Sequence, residues 1–399
     1  MIAHGVEWTL KEFFVFPNEQ VYWTIQIVLY PFITGLVAGA FILSSLYHVF
    51  HVKEFEGIAK YALVFSFALL LVAPIPLELH LLQPLRGFQI FFTPHFVSAI
   101  AAFGMVLTLY GLIVLSEIWF AYRVHFINQA REHRQRPGLI NKGLALAYSI
   151  FTLGAFRTDE SSIHKDEKGI AFLAALGIPV ACVLHGYVGF IFGSVKANSL
   201  WSSPLMPVIF LMSAMVSGVA LCAFTYLAIL RVRKIYTSKE FMRKLANYLL
   251  AFLVLAFVLE ILDLIYRAYA GQSSWVILQP LLFERDFFKL VILQYFIGNI
   301  VPFLLLCLPG MTFLRLSTIS LLVLFGVFMM RWNVVIGGQS FSSTYMGFMH
   351  YEIPIVPHNF ETLKEGVIGA ILVCALPFVF FWIMNFFTPA FSSNKNNDG

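Results

Sequence analysis

Apolar residues in this chain do not alternate with polar ones at the period of a half-buried helix or strand. They come in long blocks with few polar interruptions, separated by short polar or aromatic-rich segments. Crossing about 30 Å of hydrocarbon takes about 20 helical residues at about 1.5 Å each. Nine blocks are long enough, at 21–50, 58–81, 95–122, 169–193, 204–231, 245–269, 288–309, 315–337 and 364–387. The pattern predicts an all-α polytopic membrane protein with nine transmembrane helices. A further stretch, "PGLINKGLALAYSIFTLGAFRT" (137–158), is too broken to span and is predicted to lie along the membrane surface.

Composition agrees with that solvent. Of 399 residues, 60% are hydrophobic and 12% charged, where a soluble domain carries about 25% charged residues. The first twenty residues, "MIAHGVEWTLKEFFVFPNEQ", lack the basic start, short apolar core and small-residue cleavage site of a secretory signal, so the first span is expected to insert as mature protein.

Lys and Arg accumulate on the cytoplasmic side of membrane proteins. Segment 123–168 carries Arg123, Arg131, Arg134, Arg136, Lys142, Arg157, Lys165 and Lys168, and the next segment on that side carries Arg231, Arg233, Lys234, Lys239, Arg243 and Lys244. Lys53, Lys60, Arg315 and Lys395 fall on the same side, which takes most of the 26 basic residues. The expected topology is a multi-pass protein of the bacterial inner membrane, with a periplasmic N-terminus and a cytoplasmic C-terminal "SSNKNNDG". The net charge of +5 follows from this bias and does not require a nucleic-acid partner.

The four cysteines, Cys182, Cys222, Cys307 and Cys374, each lie in a different span, with no spacing that would build a zinc or iron–sulfur site. They read as small apolar packing residues, and any metal centre is expected in a partner. The outer loops 74–96, 193–204 and 271–287 combine Pro, aromatics and a few polar groups. They suit either headgroup anchoring or a docking floor for an extramembrane subunit.

Ionisable groups inside spans are costly and therefore candidates for function. Counted from the inner ends of their spans, His185 in "CVLHGYVGF" lies about 24 Å up, Glu260 and Asp263 in "FVLEILDLIYR" about 22 and 27 Å, and Arg331 about 24 Å. Helices four, six and eight thus bring four groups to one depth in the outer half of the membrane. Glu260, Asp263 and Arg267 follow the spacing i, i+3, i+7 and share a helix face, so Asp263 can pair with Arg267. Arg331 is expected to neutralise Glu260 or Asp263, with His185 hydrogen-bonding beside them. An imidazole, carboxylates and a fixed cation are what a quinone headgroup requires, since its carbonyls take hydrogen bonds and each two-electron step moves two protons. Plainer roles stand beside these: a structural Asp–Arg pair, a snorkelling Arg331 and an interhelical His185 donor. Glu117, next to Arg123 near the inner end of span three, reads as an interface anchor, with a place on a proton path from the inside as the alternative.

His80, His95 and His185 fall on the outer side, and His48 and His51 on the inner side. Only an outer pair including His185 could ligate a b-type haem, and none is expected in this chain. Gly35 and Gly39 form a small-residue face on span one, and Pro31, Pro179 and Pro302 can kink their helices. The stretches "FTPHFVSAIAAFG" (92–104) and "WSSPLMPVIFLMSAMVSG" (201–218) share Pro, Ser-Ala and a late Gly, which suggests duplicated helix pairs. In "VFMMRWNVVIGGQ" (327–339), Arg331 and Asn333 are expected where span eight leaves hydrocarbon, with Trp332 in the interfacial belt. Gly337 and Gly338 would then turn the chain into the outer loop 338–362, and Asn333 would either line a quinone pocket or cap the helix.

"SLWSSPLMPVIFLMSAMVSGVAL" (199–221), "LHGYVGFIFG" (184–193) and "RWNVVIGGQ" (331–339) resemble the membrane subunits of the NrfD/PsrC family, over roughly residues 20 to 390. That family includes the anchors of polysulfide reductase, of periplasmic-facing hydrogenase and sulfite-reduction-associated complexes, and of alternative complex III. The resemblance implies two four-helix bundles, here about 21–193 and 204–337, with an extra helix at 364–387. It implies menaquinone or ubiquinone bound near the periplasmic face, no haem in this chain, and a docked ferredoxin-like iron–sulfur subunit with further molybdopterin or multihaem subunits. The position of His185 then lies near the quinone. Loop 81–95 has "LLQPLRG" where many members have Asp-x-Gly-Arg-Pro. The competing class is a secondary transporter, which predicts broken helices near the midplane rather than charges clustered toward one face.

Overall fold

The computed structural model describes residues 21–198, 200–271, 273–341 and 348–391. The N-terminal segment 1–20 and the tail 392–399 with Lys395, together with Ser199, Gln272 and residues 342–347, lie outside the described residues. Nine helices among the described residues are long and apolar enough to cross a membrane. They are α1 Ile25–His48, α2 Lys53–His80, α3 Ala101–Gln135, α4 Glu160–Gly193, α5 Met206–Val232, α6 Lys239–Tyr269, α7 Phe288–Cys307, α8 Phe313–Gln339 and α9 Val367–Phe387. Each answers one predicted span, so the chain is a multi-pass all-helical membrane protein.

Differences from the predicted boundaries have local causes. α3 starts later than expected because residues 93–100, which include Pro94, form turns rather than helix. It then runs on to Gln135, and α4 begins as early as Glu160. Both extensions are rich in polar helix formers, which hydropathy does not register. The extensions are tied together by Arg123, whose Nη2 and Nε donate to Asp166 at 2.7 and 2.9 Å while Nη1 donates to the Arg157 carbonyl at 2.6 Å. Arg123 is therefore not the partner of Glu117. Glu117 is not an interface anchor either, because it is fully buried. Between the extensions lies the helix Leu139–Phe151 of the expected surface segment. It buries Ala145 and Tyr148 and exposes Leu139, Ile140, Leu146 and Ile150.

α1 sits at the centre and packs against α2, α4, α5 and α8. Glycine makes that possible: a methyl on Gly218 of α5 would stand 2.4 Å from the Gly39 Cα of α1, so the two backbones touch. α7 and α8 cross in the same way at Gly298 and Gly326. Small residues let helices approach where lipid supplies no hydrophobic driving force between them. Gly35, the other glycine of the expected small-residue face, lies against His185, with a methyl there 3.0 Å from Cε1. α7 is wound as a π-helix over Phe288–Ile300 before Pro302, a winding that recurs at functional sites.

Polar contacts gather the helix ends opposite the basic loops. Trp23 N–H donates to Gln339 Oε1 at 3.0 Å, Ile25 N–H to the Tyr351 hydroxyl at 3.1 Å, and His80 lies 3.4 Å from Glu365. At the opposite, basic end Lys244 pairs with Glu54. "RWNVVIGGQ" departs from its expected form, because α8 stays helical through both glycines to Gln339. Gly338 serves contact rather than turning: a methyl there would fall 1.9 Å from Trp201 Nε1.

Gly218→Val should lower the thermal stability of the detergent-solubilised protein by about 1–3 kcal/mol or prevent its accumulation. Gly337→Ala, whose added methyl meets nothing within 4 Å, should leave melting unchanged. Equal melting of both variants would contradict the close α1–α5 crossing.

Candidate functional site

Arg331 is carried into the bundle by α8 and is 0% exposed. Its Nη2 donates to Ser213 Oγ at 2.6 Å and to the Phe210 carbonyl at 3.2 Å, both on α5. The same nitrogen meets His185 Nε2 of α4 at 3.2 Å, and the guanidinium carbon stands 3.8 Å from the centre of the Phe210 ring. Nη1 lies 3.0 Å from Met330 Sδ. Arginine only donates, so Nε2 of His185 accepts and the neutral ring carries its proton on Nδ1. That Nδ1 has no hydrogen-bond partner among the described residues.

The carboxylates lie on the inward face of α6. Asp263 Oδ2 accepts from Arg267 Nε at 2.7 Å, and Oδ1 accepts from the Ser203 hydroxyl at 2.7 Å. Glu260 Oε2 accepts from Gln294 Nε2 of α7 at 2.9 Å. Gln294 Oε1 in turn accepts from Asn333 Nδ2 of α8 at 2.7 Å. Asn333, Gln294 and Glu260 thus form one hydrogen-bonded row across three helices, in which the bonds fix which way each amide points. A cavity of about 90 Å³ opens beside the row, with Asp263, Arg267, Gln294 and Asn333 as its polar lining and Trp201, Tyr295 and aliphatic side chains as the rest. A larger recess of about 560 Å³ lies at the basic end, where Lys244 and Glu54 already pair with each other. The smaller cavity is the stronger candidate because polar groups from three helices converge on it.

Of the residues singled out from sequence, the structure joins His185 with Arg331 and Asp263 with Arg267. The expected neutralisation of Glu260 or Asp263 by Arg331 is not made by contact: among the described ion pairs Arg331 meets no carboxylate. Its guanidinium is turned toward α4 and α5, where neutral acceptors hold it. Asp263, Arg267 and Asn333 line the cavity, while His185 and Arg331 lie behind Met330, which lines it. Asn333 is inside α8 rather than at its cap.

Sequence reasoning missed Gln294, Ser203, Ser213 and Trp201. The signal for Gln294 was present in "VILQYFIGNI", where two amides interrupt an otherwise apolar span. Trp201 donates Nε1–H to the Val334 carbonyl at 2.7 Å and stacks on Trp23 at 4.9 Å, closing the site at the end away from the basic loops. Asn198 donates to the Gly338 carbonyl at 2.6 Å from the same loop.

Comparison with known proteins places this geometry in context. The family model described as polysulphide reductase, NrfD, matches residues 14–343. The chain is 30% identical over 317 residues to one of the subunits of the selenate reductase of Mesobacillus selenatarsenatis, covering 79% of this chain and 73% of that protein. It is 24% identical over 377 residues to the Hdr-like menaquinol oxidoreductase integral membrane subunit of Archaeoglobus fulgidus, covering 91% and 84%. Protein NrfD of Escherichia coli is 24% identical over 210 residues, covering 51% and 59%.

Arg267→Met should destabilise the protein by about 3–5 kcal/mol, because it leaves Asp263 as an uncompensated buried charge. Arg331→Met should cost less, since the partners it abandons are a neutral imidazole, a hydroxyl and a carbonyl. Thermal melting in detergent checks the order, and a more damaging Arg331→Met would contradict it.

Proposed function

Because the chain belongs to the polysulphide reductase NrfD family, a family of oxidoreductase membrane subunits, we propose that it is the quinone-reacting subunit of a multisubunit respiratory complex. The observation that carries this reading is the cavity at the Asn333–Gln294–Glu260 row, polar on one wall and apolar on the others. A relative named for menaquinol oxidation, matching 91% of this chain, supports the same chemistry. A quinone, when bound, supplies two-electron chemistry coupled to two protons.

The residues present suit such a group. Amide N–H groups of Asn333 and Gln294 are fixed in direction and can hydrogen-bond a carbonyl. The Ser203 hydroxyl on Asp263 Oδ1 marks a place at the cavity wall where a proton can be held. Glu260, oriented by Gln294, is a second proton acceptor one step behind the wall. Arg267 fixes Asp263, while Arg331 fixes His185 and adds positive charge behind Met330. Leu264, Leu278 and Leu290 offer an apolar exit for an isoprenoid tail.

The positive-inside bias supports a site near the periplasmic face of a bacterial inner membrane, with the N-terminus outside and the C-terminus inside. The same outer end exposes Leu82, Leu85, Phe92, Phe96 and Val97 in the turns before α3. That surface suits the docking of a ferredoxin-like iron–sulfur subunit, itself joined to a molybdopterin or multihaem partner.

In the intact complex, His185→Ala, Gln294→Leu and Asn333→Leu should each reduce quinone-linked turnover by about tenfold or more. Subunit assembly should be unchanged, and an iron–sulfur protein should co-purify. Full turnover in all three variants would overturn the site, and a chain isolated with no redox partner would overturn the role.

A further inference from the structure

The recess of about 560 Å³ at the basic end lies apart from the cavity and has a chemistry of its own. One wall is the link between α1 and α2, at His51, Lys53 and Glu54, and the other is the start of α6, at Lys244, Asn247 and Tyr248. Its volume falls within the range of about 300–1,000 Å³ common to small-molecule sites. Lys244 is paired with Glu54, whereas Lys53 is exposed and makes no ion pair among the described residues. The recess therefore carries one uncompensated lysine charge, enough for a single monoanion. An ammonium group has three N–H donors, so Lys244 keeps donors for a ligand beyond the one spent on Glu54.

Two observations point to a ligand that belongs to the membrane. His51 closes α1 in the left-handed conformation, at φ 55°, with its N–H on the Tyr47 carbonyl at 3.1 Å and the Val52 N–H on the Leu46 carbonyl at 3.0 Å. Glycine is the usual residue in this helix-closing turn, because a Cβ strains it. A histidine there keeps an imidazole at the recess against the preference of the backbone. The second observation is the face of α6 that rises from the recess. Lys244, Asn247, Val254, Leu255, Val258 and Leu262 follow i, i+3, i+10, i+11, i+14, i+18, which is one helix face. Its four apolar residues are 37% to 51% exposed, while Glu260, Asp263 and Arg267 on the opposite face are buried. From Asn247 to Val258 the helix climbs about 16 Å at about 1.5 Å per residue, close to half of the about 30 Å of hydrocarbon in a bilayer. A basic recess below an apolar track one leaflet deep matches the headgroup and chain of a phospholipid.

We propose that this recess binds an anionic phospholipid, with its phosphodiester held by Lys53, Lys244 and His51 and one acyl chain laid along the exposed face of α6. Basic pockets between membrane helices recognise anionic headgroups. The phosphate supplies the negative charge that Lys53 lacks, and Asn247 and Tyr248 offer neutral hydrogen bonds to headgroup hydroxyl or ester oxygens. A zwitterionic lipid would bring its own cation against Lys53. Occupancy ties the α1–α2 link to α6, so the lipid stabilises the folded bundle by mass action. The site lies on the opposite face of α6 from Asp263 and does not depend on the proposed function.

Thermal melting of the full chain in detergent, with phosphatidylglycerol or phosphatidylcholine added in mixed micelles, tests the assignment. Phosphatidylglycerol should raise the melting temperature, and phosphatidylcholine should not. Lys53→Gln and His51→Gly should each need about fivefold more phosphatidylglycerol for the same rise. His51→Gly suits the left-handed turn and should melt no lower than the parent without lipid, so a weakened response there is not a folding defect. Lys142→Gln, which does not line the recess, should respond as the parent does. A rise that is absent or equal for the two lipids, a response unchanged in both recess variants, or a loss as great in Lys142→Gln overturns the site. An equal rise with glycerol 3-phosphate in place of phosphatidylglycerol assigns the recess to a free phosphate ester and overturns the lipid.

Discussion

The contact between Gly39 of α1 and Gly218 of α5 is the constraint on which the remaining arrangement depends. In hydrocarbon no water is squeezed out when helices meet, so dispersion and polar contacts have to hold them, and both decay within an ångström or two of separation. Backbone contact at this crossing sets α1 between α4, α5 and α8. With α1 pulled in, the Gly35 face leaves room for the His185 ring, and Arg331 can reach α4 and α5 together. A bulkier residue at the crossing would move α5 outward and stretch bonds of 2.6 to 3.2 Å that have little slack.

Charge inside the bundle is handled in two ways. Arg123–Asp166 and Arg267–Asp263 are direct pairs with side chains almost wholly buried. Such pairs recover their desolvation penalty only through close geometry and further bonds, which both have through the Arg157 carbonyl and the Ser203 hydroxyl. Arg331 pairs with no carboxylate among the described residues and is held by neutral acceptors and an aromatic face. That is an expensive arrangement for mere cohesion and a useful one for chemistry that changes charge.

Spans and their order were legible in the sequence because the hydrocarbon thickness imposes a minimum apolar length on every crossing helix. The grouping of His185 with Arg331 and of Asp263 with Arg267 followed from depth and from spacing along α6. Boundaries failed where polar helix formers carried α3 to Gln135 and α4 back to Glu160, since hydropathy reports solvent rather than helix content. The direction in which Arg331 turns was not legible either. It depends on the rotation of α8, set by the Gly298–Gly326 crossing and by Trp201 seated on Gly338, and both are contacts between distant segments. Gln294 escaped notice because an amide carries no charge, although in hydrocarbon its unpaired cost is comparable with that of a backbone group.

The polar groups around the cavity share a further property. In the cavity every named polar side chain has a partner: Asp263 has two, and Asn333, Gln294 and Glu260 share a row. Such a network is rigid, which suits recognition of a fixed headgroup geometry. His185 lies outside that network, with Nε2 on Arg331 and Nδ1 without a hydrogen-bond partner among the described residues.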